Sequence, residues 1–171
     1  MNLNLFFTPT DILLPAHADM RRWSVIACDQ FTADAGYWQA VQDTVCDAPS
    51  TLRLMLPEFY LGKCDEAAAT REIQQTMRRY LDDGVFRTVP HSLVLVQRTL
   101  PGGAVRCGVV GALDLEAYDY APDSVTPIRA TEGTVASRLP ARVRIRAAAA
   151  LEMPHIMVFY SDPEDTIRRE A

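Results

Sequence analysis

Lysine is almost missing from this chain of 171 residues: Lys63 is the only one, and sixteen arginines supply the other basic side chains. Acidic residues outnumber basic residues by 22 to 17, so the formal net charge is −5. General binding of nucleic acid needs a broad cationic surface, which an acidic chain does not offer. The composition therefore disfavours nucleic acid as a partner.

The chain also has no long hydrophobic run. Its longest apolar segments, such as Leu93–Val96 and Ile156–Tyr160, have the length of a strand, whereas a transmembrane helix needs about 20 apolar residues. Met1–Thr10 lacks the basic start and the long apolar stretch of a signal peptide. We therefore expect a cytoplasmic protein with no membrane partner.

Cysteine is present without a recognisable pattern. The four cysteines are widely separated and form no C-x-x-C pair: Cys28, Cys46, Cys64 and Cys107. This spacing argues against a zinc site and against a disulfide framework. We expect reduced thiols that are mostly buried.

The common sequence signatures of nucleotide-binding and hydrolytic sites are missing as well. The chain contains no G-x-G-x-x-G, no Walker loop, no G-x-S-x-G and no H-E-x-x-H. Any functional site must therefore use a less familiar arrangement of residues.

The clearest secondary structure is helical. In Asp65–Asp82, apolar residues repeat at intervals of three and four, and Gly84 follows as a stop. Ala35–Val45 shows a similar apolar face. We therefore predict a helix over each segment.

Strands make up most of the rest. Ser92–Thr99 and Val105–Leu115 are joined through Pro-Gly-Gly, which predicts a hairpin. Gly108 and Gly111 in its second strand indicate a bulge or a close neighbour. Apolar and β-branched content predicts further strands: Trp23–Cys28, Leu52–Leu56 and His155–Tyr160.

This irregular order of strands and helices predicts an α+β fold, a mixed or antiparallel sheet with a hairpin and flanking helices. The length suits one compact domain over residues 1–171. A helix start at Ser161–Asp165 stops short at Ala171, so we expect an N-terminal fragment of a longer protein. The missing C-terminal half, or a second copy in a homo-oligomer, is then the expected macromolecular partner.

The most unusual segment is Ile128–Arg146, which carries five arginines and one acid, Glu132. A strand ending at Arg129 leads into a predicted helix start, with Thr131 as N-cap and Thr134 at the third helical position. Gly133 would let a ligand approach the backbone. The unpaired N–H groups of a first helical turn bind anions.

Arg138 and Arg142 are four residues apart and share a face on a helix, so with Arg129 they could grip a phosphate or carboxylate. Two alternatives stay open. Arginine is the habitual cation of this chain, so part of the cluster can be ordinary solvated surface. Pro140 would kink or end a helix begun at Thr131, which favours two short helices instead.

Two acids are candidate catalytic residues. Glu132 could recruit a metal or handle a proton, or it could simply complement the helix dipole. Asp29 follows the predicted strand Trp23–Cys28, where ligand sites often form, although it could also cap the turn. The residues that would ligate a metal are otherwise not defined by the sequence.

Several strings, in this order, resemble the N-terminal part of the bacterial family called domain of unknown function 1015: WSVIACDQFT, DAPSTLRLMLPE, VQRTL, RCGVVGALDLEAYDY and IRATEGTVASRLPARVRIRAAAALEMPHIM. The resemblance implies a longer protein and a ParB/sulfiredoxin-like core, a fold shared with an archaeal free-serine kinase. In that fold the phosphates lie at a helix N-terminus after a strand, which corresponds to Arg129–Thr134 here. Many family members have a His-Glu turn at this place, whereas here Thr131 precedes Glu132, so a histidine-dependent chemistry does not carry over.

The leading hypothesis is a nucleotide-dependent phosphotransferase, similar to a small-metabolite kinase and using ATP or ADP with Mg²⁺. Arg129, Arg138 and Arg142, with the threonine turn, would hold the phosphates. Of Glu132 and Asp29, one would recruit Mg²⁺ and the other would take the acceptor proton. The alternatives are a non-catalytic sensor of a nucleotide or anionic metabolite and, last, a ParB-like nucleic-acid regulator.

Overall fold

The computed structural model describes residues 6–130, 133, 135–153 and 155–159. Thr131, Glu132 and Thr134, which the sequence singles out, lie outside the described residues. In the part described, no helix is both long and apolar enough to cross a membrane.

The chain is an α+β protein, as predicted. Its described elements follow this order: β1 (Phe7–Thr8), β2 (Thr10–Pro15), α1 (Met20–Trp23), α2 (Ala35–Val45), 3₁₀ turns at Thr51–Leu54 and Glu58–Tyr60, α3 (Glu66–Asp82), β3 (Phe86–Ser92), β4 (Val94–Thr99), β5 (Val105–Val110), β6 (Ala112–Leu113), a 3₁₀ turn at Leu115–Ala117, β7 (Tyr118–Asp119), β8 (Ile128–Arg129), a 3₁₀ turn at Ala136–Arg138 and α4 (Leu139–Arg146).

These elements belong to two compact units. The helical unit comprises the described residues of Pro15–Arg87 and Thr134–Ile156. The strand unit comprises those of Met1–Leu14, Thr88–Gly133 and Met157–Ala171.

The described strands form four two-stranded sheets rather than one larger sheet: β1 with β6, β2 with β3, β4 with β5, and β7 with β8. The predicted hairpin is confirmed, since β4 and β5 pair antiparallel from Val94↔Val110 to Thr99↔Val105. Its turn uses Gly102 and Gly103 at φ values of 95° and 88°, a backbone region open mainly to glycine.

The core of the helical unit forms around α3. Asp65 caps this helix by accepting hydrogen bonds from the N–H groups of Ala67 and Ala68, each at 3.0 Å. Its apolar face then buries Ile73, Met77 and Tyr80, as the spacing predicts. The remaining buried members of this cluster are Trp23 and Leu54.

Two predicted strands of this unit are wrong. Leu52–Leu56 contains a 3₁₀ turn, Thr51–Leu54, because the Ser50 hydroxyl caps it through the N–H of Leu52. Of Trp23–Cys28, only Trp23 is buried, and it ends helix α1. Its carbonyl accepts from the Ser50 and Thr51 hydroxyls, at 3.2 and 2.8 Å, so side chains take the place of a strand ladder.

The prediction of a buried strand over His155–Tyr160 is also wrong for its described part. Residues 155–159 have no strand pairing, and four of their apolar side chains are exposed: Ile156, Met157, Val158 and Phe159. Apolar content indicates what a segment would bury, but it supplies no pairing partner. The expectation for the thiols fails in part too, since Cys46 and Cys64 are exposed.

Candidate functional site

Glu58 lies at the centre of the candidate site in the helical unit. It begins the 3₁₀ turn Glu58–Tyr60 directly after Pro57, and its side chain is only 8% exposed. One carboxylate oxygen, Oε2, lies 3.3 Å from Nε of Arg138, and the other, Oε1, lies 2.8 Å from Nη2 of Arg142. The two arginines that were predicted to share a face therefore converge on one carboxylate.

The local fold explains why the two guanidiniums meet. Arg138 ends the 3₁₀ turn Ala136–Arg138, and Arg142 follows one helical turn later in α4. The carboxyl end of α4 is held by α3, because the Gln74 amide donates to the carbonyls of Arg144 and Ile145 at 2.9 and 3.0 Å. These carbonyls would otherwise be unpaired at a helix end.

Asp29 completes this group. Its Oδ2 lies 3.9 Å from Nη2 of Arg142, and its Oδ1 accepts a hydrogen bond from the Gln30 amide at 3.2 Å. The preceding carbonyl, that of Cys28, accepts from the N–H of Glu58 at 2.8 Å. This backbone bond fixes the Asp29 turn next to the Glu58 turn. We call Asp29, Glu58, Arg138 and Arg142 the Glu58 cluster.

The cluster combines two cations with two carboxylates, so its formal charges cancel. The cluster can bind an anion only through guanidinium N–H groups that Glu58 and Asp29 do not use. Each guanidinium has five N–H groups in total, so some remain for a ligand.

The Cys28 thiol lies against the cluster. Burial raises its pKa above the ordinary value of 9.0, the nearby Arg142 guanidinium lowers it, and the carboxylates of Asp29 and Glu58 raise it. Burial dominates, so the thiol stays protonated at neutral pH. A protonated thiol is a poor nucleophile, which argues against Cys28 as a catalytic residue.

The other arginines of α4 pair elsewhere. Arg144 forms an ion pair with Glu66 in the first turn of α3, and Arg146 forms one with Glu152. Arg138 and Arg142 thus belong to the Glu58 cluster, whereas Arg144 and Arg146 each form an ion pair with another acid. The side chains of Arg144 and Arg146 are 46% and 42% exposed, which is consistent with the alternative that part of the segment is ordinary solvated surface.

The predicted helix start, with Thr131 as N-cap and Thr134 at the third helical position, lies outside the described residues. Among the described residues of this segment, Val135 has an extended backbone, and a regular helix begins at Leu139, after the 3₁₀ turn. Pro140 fits there, because a proline is tolerated in the first turn of a helix but not in its interior.

The predicted site residues fall into three groups. Asp29, Arg138 and Arg142 lie together in the Glu58 cluster. Arg129 belongs to β8 and Gly133 is exposed, and both are part of the strand unit. A Cβ at Gly133 would meet no atom within 4 Å. The third group, Thr131, Glu132 and Thr134, lies outside the described residues.

Glu58 itself has no signal in the sequence that marks it as a site residue. The only hint is indirect: Ile128–Arg146 has five arginines and a single acid, so acids from distant parts of the chain must balance them.

No group of three or more metal-ligating side chains exists among the described residues. Mg²⁺ does not need one, because it is often held by one or two carboxylates together with substrate phosphates. The Asp29 carboxylate fits this pattern, since its side chain is 38% exposed and reaches solvent beside Arg142.

The helical unit also contains a cleft of about 520 Å³ between α2 and α3. Gln42, Arg53, Tyr60 and Glu72 are among its lining residues, but no member of the Glu58 cluster is. The cluster lies outside this cleft, and a ligand would reach it from solvent through Arg138, Arg142 and Asp29, whose side chains are 45%, 46% and 38% exposed.

Comparisons with known proteins give a family and no individual relative. No curated protein and no solved structure matches the chain. The model of one family, described as "Protein of unknown function (DUF1015)", matches residues 9–171 and so covers nearly the whole chain. The chain therefore belongs to the DUF1015 family.

Proposed function

We propose that this protein is a nucleotide-dependent phosphotransferase acting on a small metabolite, and that its fold contains a ParB/sulfiredoxin-like core. The observation that carries the proposal is the convergence of Arg138 and Arg142 on one carboxylate. Two guanidiniums that grip a carboxylate present the forked N–H geometry that also binds phosphate oxygens.

The charge of the site favours a nucleotide that arrives with Mg²⁺. Because the Glu58 cluster is formally neutral, a free polyphosphate would meet no net positive charge there. A divalent cation supplies the missing charge neutralisation on which phosphoryl transfer depends. We expect ATP or ADP to bind with Mg²⁺, with Asp29 as the described residue that would contact the ion.

The remaining roles follow from the same chemistry. Phosphoryl transfer needs positioning, charge neutralisation and a group that orients the acceptor hydroxyl. Arg138 and Arg142 would position the phosphates. Glu132, which the sequence names as a candidate catalytic acid, would be the general base for the acceptor proton.

The test measures nucleotide binding by calorimetry, with and without Mg²⁺. Arg142→Ala should weaken ATP binding by about 10- to 150-fold, since a hydrogen bond to a charged group contributes about 1.5–3 kcal/mol. Arg144→Ala is the matched control, because both arginines lie on α4 and both side chains are 46% exposed. Equal binding by wild type, Arg142→Ala and Arg138→Ala would refute the site.

Turnover is tested separately. Wild-type protein with ATP, Mg²⁺ and a panel of small hydroxyl compounds should produce a phosphorylated product that phosphorus NMR detects. Glu132→Gln should lower turnover by about 10²–10⁴-fold, the usual range for a general base, and leave ATP affinity almost unchanged.

A second candidate function is a non-catalytic sensor of a nucleotide or anionic metabolite. One observation favours it: both carboxylates of the Glu58 cluster are engaged with Arg142, so neither is an obvious proton acceptor. In a sensor, Arg142→Ala weakens binding as before, but wild type consumes no ATP with any acceptor. The turnover experiment therefore separates the two functions.

A further inference from the structure

We infer that Glu58 is a positioning residue, which holds the guanidiniums of Arg138 and Arg142 in place for an anionic ligand without contacting that ligand. The inference rests on the proposed anion site. It gives a role to a carboxylate at a place where its negative charge would otherwise only repel a phosphate.

The geometry distinguishes Glu58 from an ordinary surface ion pair. Each of its two oxygens contacts a different arginine, at 3.3 and 2.8 Å, so one side chain sets the spacing between two guanidiniums. Its own side chain is 8% exposed, whereas those of Arg138 and Arg142 are 45% and 46% exposed. The carboxylate therefore supports the arginines from the protein side and leaves them facing solvent.

Glu58 and a ligand can be bound at the same time. Glu58 contacts Nε of Arg138 and Nη2 of Arg142. Because each guanidinium carries five N–H groups in a planar fork, further donors remain for oxygens that arrive from solvent. Glu58 is therefore a support for the arginines and not a competitor for the ligand.

The position of Glu58 is itself fixed by the backbone. Its N–H donates to the Cys28 carbonyl at 2.8 Å, and Pro57 restricts the chain just before it. An arginine held in this way loses less conformational entropy when a ligand binds, because much of its rotamer freedom is already removed. Pre-ordering of both arginines should thus appear as tighter anion binding.

The experiment uses pyrophosphate with Mg²⁺, a ligand that contains no base or sugar, and measures its affinity by calorimetry on the full chain. Glu58→Gln should weaken pyrophosphate binding by about 5- to 30-fold, since two arginine side chains must then be ordered by the ligand. Glu66→Gln is the matched control, because Glu66 pairs with Arg144, which lies on α4 like Arg142. That variant should bind like wild type.

A double-mutant cycle tests whether Glu58 acts through the arginines. In the Arg142→Ala background, Glu58→Gln should lose most of its effect on pyrophosphate affinity, because one of its two targets is gone. A merely structural role would instead lower the melting temperature and weaken binding by the same factor in both backgrounds.

Three results would overturn the inference. Tighter pyrophosphate binding by Glu58→Gln would show that the carboxylate competes with the ligand. Unchanged binding by Glu58→Gln, with weakened binding by Arg142→Ala, would leave the anion site intact and remove only the role of Glu58. If wild type binds neither pyrophosphate nor ATP, the anion site and the role of Glu58 are both lost. Pyrophosphate binding without ATP turnover would refute the phosphotransferase alone.

Discussion

Gly111 and Gly108 lie three residues apart in the strand unit, and replacing each by alanine should change stability with opposite sign. A Cβ at Gly111 would lie 2.7 Å from a Leu93 methyl carbon, 2.7 Å from the Phe7 ring and 2.8 Å from the Thr8 carbonyl oxygen. A Cβ at Gly108 would meet nothing within 4 Å. The sequence marks both glycines in the same way, whereas the structure separates them.

The expected magnitudes follow from these surroundings. At Gly111 the side chains of Leu93 and Phe7 can shift, but the Thr8 carbonyl belongs to β1, which pairs with β6 through Thr8↔Ala112. Overpacking of this kind costs about 1–3 kcal/mol, and displacement of a strand raises the cost within that range. At Gly108, alanine removes backbone freedom from the unfolded chain and should stabilise by about 0.4–1 kcal/mol.

The assay should report on the strand unit, and tryptophan fluorescence does not serve, because Trp23 and Trp38 both belong to the helical unit. Hydrogen exchange of peptides that cover β1 and β6 measures the local free energy of opening directly. Gly111→Ala should exchange faster there than wild type, and Gly108→Ala should exchange at the wild-type rate or more slowly. If Gly111→Ala protects β1 and β6 as well as wild type does, the close packing around Gly111 is not present.

Two further predictions concern the helical unit. Tyr80→Phe should lower the free energy of urea unfolding by about 1–3 kcal/mol, because the Tyr80 hydroxyl accepts a hydrogen bond, at 3.1 Å, from the buried N–H of Ser50. The control is Tyr118→Phe, at an exposed side chain, which should change this free energy by less than about 0.5 kcal/mol. Equal effects of the two substitutions would contradict the argument. Iodoacetamide at neutral pH should modify the exposed Cys64 well before Cys28, whose pKa is raised by burial. Equal modification rates of Cys64 and Cys28 in a peptide-mapping time course would show that Cys28 is not protected. Because the pKa of Cys28 is higher in the folded than in the unfolded protein, its contribution to stability is present below the ordinary pKa of 9.0 and is lost as pH rises through the folded value.

The elements that the sequence predicts correctly are those whose signals are local. Helix α3 has its cap, its apolar face and its stop within Asp65–Gly84, and the hairpin has its turn glycines between its own strands. In Trp23–Cys28, by contrast, the residues that determine the structure lie outside the segment. Its apolar content matches a strand, but the Trp23 carbonyl bonds to hydroxyls 27 and 28 residues away. Long-range side-chain bonds of this kind leave no periodic trace in the sequence.

In the candidate site, too, the sequence predicts local features and misses long-range contacts. The spacing of Arg138 and Arg142 is local, and the structure brings both to one carboxylate, as a shared face requires. Glu58 is 84 residues from Arg142 along the chain, so no local pattern connects them. The arginine excess in Ile128–Arg146 predicted either an anion site or ordinary solvated surface, and the fold pairs four of these arginines with protein carboxylates: Arg138, Arg142, Arg144 and Arg146.

The geometry of helix α4 explains why Arg142 belongs to the candidate site and Arg144 does not. Arg142 and Arg144 are two residues apart, which places them about 200° apart around a helix, so they point to different neighbours. Arg142 reaches Glu58 and Arg144 reaches Glu66 in the first turn of α3, where an acid also complements the helix dipole. Gln74 adds a third attachment at the carboxyl end of α4. The loss of the Arg144 side chain leaves the Arg142 and Gln74 contacts in place. If Arg144→Ala binds like wild type, a binding defect confined to Arg138→Ala and Arg142→Ala would therefore indicate lost ligand contacts rather than a displaced helix.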